Sequence, residues 1–214
     1  MSGAKKSFIA LWLIAASFVT SGSGQETIKR VPEPQPTPTT PEPAVIYLWA
    51  EGNIPAVTKA QASGTSRYAD PPDFRPNMKV FPVKEGMPVK GAVVLCSGGA
   101  FSFRNNRGEG EPVARTLNQL GYQCFVVNYR VRPYTQQEGA LDLARAVRYV
   151  RSHAHTYGIR EKNIAVVGFS AGGILCGEML LNFKGKVNGT ALDSRYMPDE
   201  LDKVSADASA IGHH

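Results

Sequence analysis

Three predominantly apolar segments set the strongest limit on the fold of this chain: the continuous run Gly91–Cys96 (GAVVLC), then Tyr122–Asn128 (YQCFVVN) and Asn163–Phe169 (NIAVVGF). A strand with one wet face alternates polar and apolar residues, whereas a strand covered on both faces does not. The segments between the runs carry helical spacing. Pro112 opens a stretch in which Val113, Leu117 and Leu120 recur at i, i+4 and i+7, closed by Gly121. Glu138 to Tyr157 carries Leu143, Val147, Val150 and Ala154 on one stripe, flanked by Ala140 and Ala144 and ended by Gly158. Arg145, Arg148 and Arg151 are expected on its other faces, with Asp142 and Arg145 as a local pair. Upstream, Val45–Trp49 and Met78–Val83 read as strands, and Pro82 within the second suggests an edge position. Strand, helix, strand, helix, strand, helix predicts a three-layer α/β domain with a mostly parallel sheet. Its N-terminal edge is expected to be more antiparallel, and the sheet to be incomplete at the C-terminus.

The chain of 214 residues is long enough for one domain with a sizeable core. Its net charge of +6 is spread along the sequence, without the basic clusters of a nucleic-acid footprint. Cys96, Cys124 and Cys176 are too few and scattered for a disulfide framework and read as buried, inert thiols, although two could pair in an oxidising compartment. Lys5 and Lys6, the apolar run Phe8–Val19 and the small residues that follow have the plan of a secretory signal peptide over 1–23. That run is shorter than the roughly 20 residues of a membrane-spanning helix. Residues 24–43 include VPEPQPTPTTPEP, a proline-rich spacer, so the folded domain is expected to occupy 44–214.

The third apolar run leads directly into Ser170-Ala171-Gly172-Gly173 and an apolar helix with Ile174, Leu175, Met179 and Leu180. Gly168-Phe169-Ser170-Ala171-Gly172 matches G-x-S-x-G in the strand–turn–helix context that the motif requires. Small residues two before and two after the serine let strand and helix approach each other. The sharp turn lifts the hydroxyl off the sheet edge and sets the Ala171 N–H where an oxyanion can form. Ser170 is therefore the candidate nucleophile. Ser97-Gly98-Gly99-Ala100-Phe101, after the first apolar run, supplies a second small-residue loop. Its Gly99 and Ala100 N–H groups are candidate oxyanion donors beside that of Ala171.

These segments, with EGEPVARTLNQLGY (109–122), NYRVRP (128–133) and the Asp142–Arg151 helix, resemble bacterial α/β-hydrolase esterases over residues 45–210. The similarity is to the subgroup with acetylxylan-esterase-like and feruloyl-esterase-like members. The chain departs from the lipase pattern at Ser97, where many members carry His or Pro, and at Ala100, where the third glycine stands. Neither change removes a backbone donor. The resemblance implies a serine hydrolase of short-chain carboxylic esters, including acetyl esters of carbohydrates, that acts through an acyl-enzyme on Ser170. It implies no cofactor and no metal. The expected partner is a small ester or acylated carbohydrate, with no nucleic acid and no stable membrane association after signal cleavage.

A serine triad in this fold runs Ser, then Asp or Glu, then His. His153 and His155 precede Ser170 and read as surface or packing residues. His213 and His214 follow it, with Asp193, Asp199, Asp202 and Asp207 between, but the strands that usually carry the acid and base are not in the sequence. The expectation is a fragment lacking both. A serine peptidase of the same fold, or an inactive secreted module that binds carbohydrate or a partner, are the alternatives. Arg104, Arg107, Glu109 and Glu111 follow the glycine loop and either line a substrate pocket or form a solvated helix start.

Overall fold

A computed structural model describes residues 42–59, 69–182 and 188–213. The segment expected to be a signal peptide and nearly all of the proline-rich spacer lie outside the described residues. In chain order the elements are β1 (Ala44–Tyr47), β2 (Asn77–Phe81), β3 (Gly91–Cys96), α1 (Glu111–Gln119), β4 (Tyr122–Asn128), α2 (Gln136–Ser152), β5 (Ile164–Gly168), α3 (Ala171–Gly177), α4 (Gly189–Leu192) and β6 (Ala210–His213). One turn of π-helix, Asn106–Gly110, leads into α1, and another, Glu178–Asn182, extends α3.

The strands form one sheet in the order β1-β2-β4-β3-β5-β6. β1 and β2 pair antiparallel, as do β2 and β4, and the other neighbours are parallel. Alternation along the central strands divides the core between two faces. Val93 and Leu95 of β3 pack with Phe81, Cys124 and Val126 under Ala114, Val113 and Leu117 of α1. Ala92, Val94 and Cys96 face the other way, with Met78, Phe125, Val127, Ile164 and Val166, onto Leu143, Val147 and Val150 of α2 and Leu175 of α3. The three-layer α/β architecture is as the sequence predicts. Each fully buried Val or Leu contributes about 1.5–3 kcal/mol, so the interleaved aliphatic residues of β3, β4 and α2 dominate the stability of the domain.

Several local expectations are corrected. β2 ends at Phe81, before Pro82, and is the second strand rather than the edge, which is β1. α2 begins earlier than the apolar stripe suggests because Thr135 caps it: the Thr135 hydroxyl accepts from the Glu138 N–H while the Glu138 carboxylate accepts from the Thr135 N–H. It also ends earlier, at Ser152. The faces of α2 beside the apolar stripe are covered as well. Arg145 and Arg148 are buried along with almost the whole helix. Asp142 and Arg145 do not pair with each other. Asp142 accepts from the Trp49 indole N–H at 2.8 Å and from the Arg130 Nε at 2.9 Å, whereas Arg145 pairs with Asp199 and donates to the Leu48 carbonyl. A helix buried all round takes its polar partners from other segments, because a buried charge must be met from every side.

This buried cluster ties the N-terminal segment to α2. Arg130 reaches the carbonyls of Pro55 and Glu138 as well as Asp142, and Glu138 accepts from the N–H groups of Val57 and Thr58. Burial pushes the Asp142 carboxyl up, against the pull of Arg130 and Trp49. Burial acts on Glu138 in the same sense, but hydrogen bonds from Thr135 and Thr58 and the Arg130 charge outweigh it and leave that carboxyl below its ordinary value. The three cysteines are free and buried. The Cys96 thiol is pushed up by its hydrogen bond with Cys176 and by burial, and that of Cys124 is pushed to about 12 by burial.

Candidate active site

The parallel strands β3 and β5 lie side by side, with Cys96 opposite Gly168. Both polypeptide turns of interest therefore leave the sheet at the same level of its C-terminal edge, where parallel α/β sheets bind ligands. Ser170 caps α3 with φ 49° and ψ −117°, a conformation that L-residues avoid. Holding it costs on the order of 1–3 kcal/mol and needs support from the surroundings. The flanking glycines supply that support by closeness. A Cβ on Gly168 would stand 2.3 Å from the Gly172 carbonyl oxygen, and one on Gly172 would stand 2.1 Å from the Cys96 carbonyl oxygen. Backbone thus presses on backbone from β5 through α3 to β3. Bonds from the Phe169 N–H to the Cys96 carbonyl (3.0 Å) and from the Gly172 N–H to the Phe169 carbonyl (2.8 Å) fix the turn. Ser170 itself is exposed, while Ala171 behind it is buried.

The loop after β3 meets this turn. A Cβ on Gly98 would lie 2.8 Å from the Phe169 carbonyl oxygen and 3.0 Å from the Ser170 Cβ. Gly99 has φ 140°, and Ala100 and Phe101 are both left-handed at φ 51° and 55°. Two consecutive non-glycine residues in that region are strained, and the loop is held against relaxing by the Ser102 and Phe103 N–H groups on the Gly99 carbonyl and by the Arg132 N–H on the Phe101 carbonyl. The N–H groups of Gly99, Ala100 and Ala171 meet no acceptor among the described residues. The loop is anchored from behind as well. Tyr129, fully buried, donates to the Ser97 carbonyl at 2.6 Å, and the Ser97 hydroxyl donates to Asn106, which donates on to Asn128.

The structure also assigns partners to the charged residues after the loop. Arg104 makes a two-pronged ion pair with the buried Asp70 and donates to the Tyr129 carbonyl, Glu111 pairs with Lys79 at 2.7 Å, and Arg107 is exposed. Glu109 turns inward and accepts from the Gly98 N–H at 2.7 Å. Of the histidines, His153 stacks on Tyr149 at the end of α2 and His155 is exposed. His213 takes the β6 register position opposite Gly168. His214 lies outside the described residues. The anchoring roles of Tyr129 and Asn106 have a signal in the sequence, since both are polar residues in the loops just beyond the apolar strands β4 and β3, whereas Asp70 lies in a turn before β2 and nothing local marks it. Among the described residues there is no cluster of three side chains able to hold a metal ion.

Residues 80–205 match the BD-FAE family model, a stretch that includes the elbow, the glycine loop and all of β3 to α4. The chain belongs to the BD-FAE family. The BD-FAE domain is 36% identical over 84 residues to an acetylxylan esterase of Xylanibacter ruminicola, a match covering 39% of this chain and 18% of that protein. It is 39% identical over 79 residues to the "Probable carboxylic ester hydrolase LipM" of Mycobacterium tuberculosis, covering 36% of this chain and 18% of the relative. Among solved structures, an acetyl ester-xyloside bifunctional hydrolase from Caldicellulosiruptor lactoaceticus superposes with a TM-score of 0.63 at 26% identity, covering 83% of this chain and 58% of that one. A thermophilic esterase from Thermogutta terrifontis shares the fold with a TM-score of 0.57 at 20% identity, over 82% of this chain and 55% of the esterase. The BD-FAE domain here thus has the α/β-hydrolase fold, and its matched stretch spans under a fifth of the two named relatives and a little over half of the solved structures.

Proposed function

We propose that the protein carrying this domain hydrolyses short-chain carboxylic esters, with acetyl esters of carbohydrates as the substrate class. The reading rests above all on one observation: Ser170, exposed and held at φ 49° and ψ −117°, stands against the glycine loop at Gly98. The Ser170 hydroxyl attacks the ester carbonyl, and the resulting alkoxide is received by the N–H groups of Ala171, Gly99 and Ala100. The intermediate collapses by expelling the alcohol, and water releases the acid from the acyl-enzyme. The strained backbone serves this chemistry because donors that are already aimed need no reorganisation as charge develops. The relatives' names support the substrate class, since one is an acetylxylan esterase and one structure is an acetyl ester-xyloside hydrolase.

In the same proposal, the serine works with a general base and a carboxylate that orients it. Export is proposed from Lys5, Lys6 and the Phe8–Val19 run, and N-terminal sequencing of protein recovered outside the cytoplasm tests it. For the activity, turnover of p-nitrophenyl acetate by the full-length protein is expected to be lost in Ser170→Ala with the fold retained. Wild-type turnover by that variant would reject the assignment. Turnover of an aminoacyl amide in place of acetyl esters would favour a peptidase.

A further inference from the structure

We infer that Glu109 is a positioning residue for the oxyanion loop, an inference that rests on the esterase reading of Ser170. Gly98 is gripped on both of its peptide groups by the segment 105–109. Its carbonyl accepts from the Asn105 N–H at 2.9 Å, and its N–H donates to Glu109 Oε2 at 2.7 Å. The Glu109 N–H in turn donates to the Asn105 carbonyl at 2.9 Å, closing the clasp. The π-helical turn that carries Glu109 is seated on the sheet at Gly110, where a Cβ would meet Val126 Cγ1 at 2.8 Å. Asn106 in the same turn holds Ser97. The neighbouring peptides, those of Gly99 and Ala100, bear the proposed oxyanion donors, so the orientation of the Gly98 peptide sets their aim.

The carboxylate also stands at the reacting edge. A Cβ on Gly98 would lie 3.1 Å from Glu109 Oε2 and 3.0 Å from the Ser170 Cβ, so Glu109 and the serine flank one spot over the loop. A negative charge there does not stabilise a developing alkoxide, so its contribution is made as an acceptor that fixes geometry. Displacing donors by even about 1 Å is enough to lower turnover on the order of 100-fold. The role needs an acceptor rather than a charge, and a glutamine side chain provides one.

The test compares full-length wild-type protein with Glu109→Ala and Glu109→Gln, with Ser170→Ala as a control. It reads p-nitrophenyl acetate kinetics, thermal midpoint and the amide proton shift of Gly98 in 15N-labelled protein. In Glu109→Ala, kcat is expected to fall by about 10- to 100-fold with KM little changed, at temperatures well below unfolding. Glu109→Gln is expected to recover most of the loss. The Gly98 amide proton is expected downfield in wild type and Glu109→Gln and shifted upfield in Glu109→Ala. Wild-type kcat in Glu109→Ala, or equal impairment of both variants, would overturn the inference. If Ser170→Ala matches wild type in turnover, the esterase reading fails and the amide shift decides the clasp: one Gly98 shift across wild type, Glu109→Ala and Glu109→Gln would overturn it.

Discussion

At Ser170 the backbone carries a penalty that the side chain does not repay in stability. φ 49° with ψ −117° is accessible to glycine and strained for any other residue. Ser170→Gly is therefore expected to raise stability by about 1 kcal/mol over wild type, after the greater freedom of glycine in the unfolded chain is set against the relief. Urea denaturation checks it, and a loss of stability would show that the turn is unstrained. Gly172 has the opposite expectation. Its missing Cβ would sit 2.1 Å from the Cys96 carbonyl oxygen, a backbone atom that cannot swing aside. Gly172→Ala is expected to destabilise by about 1–3 kcal/mol or more and to lower activity beyond what the stability loss explains. The same thermal and kinetic assays measure both. The G-x-S-x-G spacing made these residues legible from sequence, because its chemistry is local. The contact between Gly98 and the serine turn was only half legible: both loops are visible as small-residue runs, but their meeting depends on β3 and β5 being sheet neighbours with Cys96 opposite Gly168.

Among the elements, α2 carries the most concentrated polar burden. Asp142, fully buried, faces Arg130 and Trp49, and Arg130 is equally enclosed. Asp142→Ala would strand the guanidinium and is expected to cost about 3–5 kcal/mol, whereas replacing both Arg130 and Asp142 by apolar residues should cost less. Equilibrium denaturation of the two variants tests the difference. Glu138 gives a pH dependence of defined sign. Its folded carboxyl lies below its ordinary value of 4.5, so the unfolded chain binds the proton more readily. The stability it contributes is complete above the unfolded value and lost as pH falls through the folded one. Asp142 is shifted the other way and offsets part of this. Glu138→Gln is accordingly expected to flatten the acid limb of a stability–pH curve, and an unchanged limb would contradict the shift. None of this network was legible in the periodicity of α2. An apolar stripe identifies the face of a helix that must be buried but not whether the remaining faces are also covered. Arg145 and Arg148 look solvated until Asp199, Leu48 and Val204 are found against them.

For the molecule as a whole, the sheet order β1-β2-β4-β3-β5-β6 delivers the serine turn and the glycine loop to one edge. The three predominantly apolar strand segments are enough to foresee the layered fold, because strands buried on both faces leave helices as the only covering that a parallel sheet can use. Element ends were less legible, since they depend on caps such as the Thr135–Glu138 box and on which segment arrives to cover a strand. On the proposed reading, Ser170 is a nucleophile aimed in advance by the backbone. Treatment of the full-length protein with a fluorophosphonate, followed by peptide mass mapping, tests it most directly. One adduct is expected, on Ser170, and it is expected to disappear in Ser170→Ala together with turnover of p-nitrophenyl acetate. A folded protein that hydrolyses the ester while Ser170 stays unmodified, or that is labelled on another residue instead, would contradict it.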